Sequence, residues 1–153
     1  MSYHDPNVYG AAAIGTTDSV DPQSLRIIDL VRRWDGGPDR RQEVWNALAV
    51  ELGPVRARRA LKSLEEFLDL IQSHGRRPLV LHGVGCRCIG SDETIIAHFV
   101  RIATEGERED AMLVGTLLVR PDIAPIAASL AQQLGLALLS GVPAPRGCTE
   151  RMH

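Results

Sequence analysis

Residues 54–75 read PVRARRALKSLEEFLDLIQSHG. Ala57, Leu61, Leu64, Phe67, Leu68 and Ile71 recur every three or four positions and form one stripe, while Arg58, Arg59, Lys62, Glu65, Glu66 and Asp69 fall largely outside it. Pro54 suits the first position of a helix, where its missing N–H costs nothing. Lys62 and Glu66, four apart, can pair weakly. His74-Gly75 stops the run. This is an amphipathic helix, and the stretches on either side repeat its grammar.

Upstream, Asp21-Pro22 reads as an N-cap followed by proline at the first helical position. Leu25, Ile27, Ile28, Val31 and Trp34 follow at helical spacing, and Gly36-Gly37 ends that segment. Pro38 opens a second helix with Val44, Trp45, Leu48 and Leu52 on its face. Gly53 is placed to terminate it in a conformation that glycine tolerates best. Downstream, Ser91-Asp92-Glu93 reads as an N-cap with an acidic first turn, favourable at the positive end of a helix dipole. Ile95, Ile96, Phe99, Ile102 and Ala103 make the inner face, and Glu105-Gly106 breaks it. A fifth segment starts at Glu107–Asp110 and runs through residues 111–119, apolar nearly all round. It reads either as a helix at the centre of the bundle or as a buried strand; its length and acidic start favour helix. Pro121-Asp122 caps a sixth helix, with Ile123, Ile126, Ala127, Leu130 and Leu134 on one face and Gly135 at its end.

The expected fold is therefore all-α: a single-domain bundle of about six helices, with a Gly/Cys/His-rich loop between helices three and four. Residues 1–20 read as a flexible N-terminal arm, 21–139 as the helical domain and 140–153 as a flexible C-terminal tail. A length of 153 residues suits one domain. Apolar content of 44% and charged content of 24% are those of a folded globular chain. A net charge of −2 creates no field for nucleic acid or an anionic membrane. No apolar run approaches the roughly 18 residues of a membrane span. The opening MSYHDPNVYG has no basic region followed by an apolar one, so no secretory signal is expected. Three cysteines, two of them one residue apart, do not make a disulfide framework and fit a reducing cytoplasm.

The stretch with chemistry in it is 74–98, HGRRPLVLHGVGCRCIGSDETIIAH, which holds two of the three cysteines and three of the five histidines. His82, Cys86 and Cys88 offer an imidazole and two thiolates within seven residues. Zinc takes four such ligands in a tetrahedron. The fourth could be His98 or, alternatively, His74, and either would join the two halves of the bundle; Glu93 is a weaker candidate. Iron or copper could use the same ligands. Against a metal, Val84, Cys86 and Cys88 alternate and could be one buried face of a short extended segment, since cysteine packs as a small hydrophobe.

Other chemistries are less well supported. Arg87, Arg76 and Arg77 could favour a thiolate at Cys86 or Cys88 for redox work. Nucleophilic catalysis would need one of these cysteines beside His98 and Asp92. The glycines at 83, 85 and 90 match neither phosphate-loop spacing. Residues 42–72 read helix, turn, helix, but positions 59 and 62 are charged where a DNA-reading motif needs apolar residues. Arg56, Arg58 and Arg59 are then a surface cluster that could still touch phosphate.

The function expected is that of a zinc-stabilised binding or regulatory protein, not an enzyme, acting through a protein partner. A homodimer is a further possibility, given two tryptophans and the apolar fifth segment. The alternatives are a thiol-dependent redox protein or enzyme, and a nucleic-acid-binding regulator using Arg56–Arg59.

Overall fold

A computed structural model describes residues 13–139. Six helices build the domain, as expected: α1 (Pro22–Asp35), α2 (Pro38–Leu52), α3 (Pro54–His74), α4 (Ser91–Glu105), α5 (Arg108–Gly115) and α6 (Ala124–Leu139). The proline-led starts of the first three lie where the sequence puts them. Asp21 caps α1, accepting the Ser24 N–H at 2.9 Å on one oxygen and the Ser24 hydroxyl at 2.7 Å on the other. Gly53 has φ +81 and ψ 162, a region open essentially to glycine alone, and it turns the chain from α2 to α3 in a single residue.

Of the stripe that identified α3, Ala57, Leu64, Phe67 and Ile71 are buried and Leu61 and Leu68 half-buried, and Ala60 joins the buried face. Phe67 meets Phe99 of α4 with ring centroids 5.9 Å apart, at the centre of the core. Helices joined by short turns pack on one another, α1 on α2, α2 on α3, α4 on α5 and α5 on α6. α6 closes the bundle by packing on both α3 and α4.

Several sequence expectations need correcting. Residues 13–20, assigned to a flexible arm, belong to the folded unit. β1 (Ala13–Thr16) pairs antiparallel with β2 (Cys88–Gly90), and a 3-10 turn (Thr17–Ser19) leads on towards α1. Nothing in Ala-Ile-Gly-Thr announces a strand, because β2 supplies the pairing. The rest of the expected arm, and the tail from residue 140, lie outside the described residues.

The apolar fifth segment is a helix for only its first half. It unwinds after Gly115, and Val119 makes an antiparallel bridge with Gly75. It lies at the surface of the bundle, not the centre, leaving Leu113 and Leu117 outward at 68% and 61% exposure. α6 turns its alanines inward (Ala124, Ala127, Ala128 and Ala131), with Leu134 and Leu138, and Ile126 points out. Gly135 does not end α6. It is buried mid-helix, where a methyl group would overlap Thr104 of α4. Small residues are what allow α6 to approach two helices at once.

Gly135→Ala should therefore destabilise the domain by about 1–3 kcal/mol, the usual cost of overpacking. Thr104→Ala in the same chain should return part of the loss. Urea denaturation of the two single variants and the double variant measures this, and strictly additive losses would contradict the assigned contact.

Candidate functional site

The loop from Gly75 to Arg87 would be a liability if its backbone were unsupported. It is held by two acidic residues at the start of α4. Asp92 and Glu93, expected as the acidic first turn of a helix, are both about 1% exposed. The helix begins one residue earlier than a serine cap implies, with Gly90 at the cap. Glu93, at the third helical position, reaches back to accept the Gly90 N–H at 2.9 Å, half of a capping box. It also accepts the His82 N–H at 2.8 Å.

The partner of Glu93 is Arg32 of α1, 61 residues away in sequence. Arg32 Nε donates to Glu93 Oε1 at 2.6 Å and Nη2 to Oε2 at 2.8 Å. The same guanidinium donates to the carbonyls of Cys86, at 2.8 Å, and Cys88, at 2.7 Å. Side-chain exposures of 4% and 1% put the pair in the interior. Asp92 does the parallel job on the near arm of the loop: it accepts the Val80 N–H at 2.9 Å and a bidentate contact from Arg77. Arg76 donates to the Thr116 and Val119 carbonyls beyond α5. β1 secures the far arm, and the Thr17 N–H donates to the Arg87 carbonyl at 2.9 Å.

On this frame the expected ligand residues separate. His82 Nδ1 and Cys86 Sγ lie 4.0 Å apart. Cys86 is half-buried and Cys88 exposed. The alternation of Val84, Cys86 and Cys88 is not a buried face: in β2 it is Ile89 that enters the core and Cys88 that points out. His98 is exposed on α4, beside the start of α1 with Asp21 and Arg101. His74 stands at the end of α3. Among the described residues no three His, Cys, Asp or Glu side chains gather as a metal-binding group. Glu93 cannot spare an oxygen for an ion, because both are occupied, and Asp92 is bound to Arg77 instead of orienting a histidine.

The basic cluster also divides. Arg56 and Arg59 line a groove of about 570 Å³ between α3 and α6, with Lys62, Glu66 and Leu136. Arg58 lies off that groove, two residues and so about 200° round the helix from Arg56. The tryptophans are half-buried against the core, and Arg41 stacks over Trp34 with its charge centre 4.6 Å from the ring centroid.

Comparison with protein-family models, with curated proteins and with solved structures finds no match for this chain.

Sequence reasoning missed Arg32. Its only signal is a charge on the apolar side of α1, among Ile28, Leu30 and Val31. Burial alone would push the Glu93 carboxyl up, but the hydrogen bonds from Arg32, Gly90 and His82, with the Arg32 charge, outweigh it and hold the group below the ordinary glutamate range. Its contribution to stability is therefore complete above the unfolded value, about 4.3, and is lost as pH falls through the lowered native value. Arg32→Met should cost about 3–5 kcal/mol at neutral pH, since it strands a buried carboxylate. Against Glu93→Gln, the wild-type advantage should be constant from pH 7 to about 5 and shrink on further acidification. Chemical denaturation across that range measures both effects.

Proposed function

We propose that this chain is a binding protein whose Cys86 loop takes a thiophilic divalent ion, zinc foremost, and presents it to a protein partner. The observation that carries the reading is the 4.0 Å separation of His82 Nδ1 and Cys86 Sγ on a loop whose backbone is fixed independently. A nitrogen and a sulfur that bind one zinc at about 2.0 and 2.3 Å lie about 3.5 Å apart, a separation that a small side-chain rotation reaches from here. Cys88, two residues on and exposed, supplies the third donor by side-chain rotation. The fourth position is left to water or to a group of the partner.

The ion is not a staple in this reading. Arg32, Glu93 and Asp92 already hold the loop, so metal binding adds little to folding and is free to act as a signal or a contact. Outward-facing Leu113, Leu117 and Ile126 around α5 and the start of α6 offer the partner apolar surface. Among the described residues no helix is long and apolar enough to cross a membrane. A reducing cytoplasm is the setting in which both thiols stay available.

Elemental mass spectrometry on protein purified without a histidine tag tests the reading. About one zinc per chain is expected, lost in His82→Ala/Cys86→Ser. Chelation should lower the melting temperature by no more than a few degrees, far less than Arg32→Met does. Absence of metal in the wild type after zinc loading would sink the proposal and turn attention to thiol chemistry, for which the alkylation rates of Cys86 and Cys88 would be the next measurement.

A further inference from the structure

A second feature of the same loop concerns what the partner looks like. On one side of the loop, α1, α3 and residues 75–81 enclose a cleft of about 500 Å³, the size of sites that hold small ligands and short peptides. Trp34, Leu68, Ile71, Leu79 and Leu81 supply its apolar lining, and polar side chains supply the rest. Its rim carries both signs of charge. Among the described residues the partners of Arg41 and Arg76 there are neutral, a carbonyl and the Trp34 ring for the first and two carbonyls for the second. The Asp35 and Asp69 carboxylates make no hydrogen bond or ion pair among the described residues.

The main chain along the cleft is the decisive part. The Val80 and His82 N–H groups donate to Asp92 and Glu93. Two donors two residues apart, both aimed at the start of α4, have the spacing of an extended chain. In such a chain the backbone groups of the intervening residues point to the opposite edge. Leu81 lies between the two donors and Leu79 just before them, and both line the cleft. Their N–H and C=O groups have no hydrogen-bond partner among the described residues. One side of this segment is thus satisfied by two carboxylates, and the other presents unpaired main-chain groups beside the cleft, as an open strand edge does.

We infer that this edge receives an extended peptide of a partner protein by strand addition, with small apolar side chains at alternate positions entering the cleft. Main-chain pairing to Leu79 and Leu81 supplies affinity, and the cleft supplies selection. The two signs of charge on the rim disfavour a strongly acidic or strongly basic peptide and favour one of low net charge. This rests on the reading of the chain as a partner-binding protein, but it uses none of the metal donors.

The test is calorimetry and amide NMR on the full chain carrying His82→Ala/Cys86→Ser, so that failure of the metal reading leaves the outcome intact. The probe is acetyl-Ser-Val-Ser-Val-Ser-amide. Its partner is the same peptide N-methylated at alternate residues in each of the two registers, which removes the donors facing one edge and keeps the side chains. Saturable binding is expected, with the Leu79 and Leu81 amide resonances shifting and at least a tenfold loss of affinity in one methylated register. Leu81→Pro, which deletes an N–H that the fold does not use, should weaken binding well beyond Leu81→Ala. No binding at millimolar peptide, or equal binding of the plain peptide and both methylated ones, would overturn the inference, whatever becomes of the proline variant.

Discussion

Arg32 and Glu93 form the contact on which the architecture of this molecule turns. Six helices can bury their apolar faces without help, but a loop with three glycines beside them has few apolar side chains to hold it down. A buried ion pair is rarely a gain by itself, because desolvating two charges costs about what their attraction returns. Here the pair also serves four main-chain groups: the carbonyls of Cys86 and Cys88 and the N–H groups of His82 and Gly90. An apolar replacement of both side chains would take these partners from all four, the Gly90 N–H in the interior and the other three at its margin, so hydrophobic substitution costs more here than at an isolated ion pair. Charge at this place is what lets a polar loop lie against a hydrocarbon core.

The same arrangement decides what the loop can do. With its backbone set by α1 and α4, the loop carries His82, Cys86 and Cys88 on a fixed support, and ligand binding need not first order the chain. Asp92 and Glu93 are adjacent in sequence but secure different arms, Asp92 the approach at Val80 and Glu93 both His82 and Gly90. The first turn of α4 is thus a two-pronged anchor, and the loop spans the interval between its attachment points.

Much of the fold was legible because the helices obey rules of local chemistry. Proline after an aspartate or glycine starts α1, α2 and α3; glycine separates them; apolar stripes of period 3.6 name the buried faces of α3 and α4. What escaped was whatever depended on distant residues. Ala13–Thr16 has no intrinsic strand signal, and only Cys88–Gly90 makes it one. Gly135 looks like a terminator until Thr104 is seen against it. The even hydrophobicity of 111–119 suggested a central position, and only the packing shows that half of it faces outward. At the site, the loop itself and the His82–Cys86 proximity followed from spacing, whereas Arg32, the residue that organises both, had no local mark beyond a charge among apolar neighbours. Glu93 was read as a helix-start carboxylate because its sequence context is that of one; its burial against Arg32 depends on α1, which that context does not contain.

The β1–β2 pairing has a consequence for how the molecule comes into being. β1 leaves the ribosome before any helix of the bundle, and its pairing partner follows only after α1, α2, α3 and the loop. Through all of that time its backbone donors and acceptors have no protein partner. The cysteine loop in turn cannot be enclosed on its outer side until the oldest part of the chain folds back across it. Closure of so long an interval is entropically slow compared with helix formation. The helices should therefore be in place before the strap, and the loop carrying both described thiols should be the last region to become protected. A nascent or freshly refolded chain passes through a stage in which its framework is native while the backbone around Cys88 has not yet been pinned by β1.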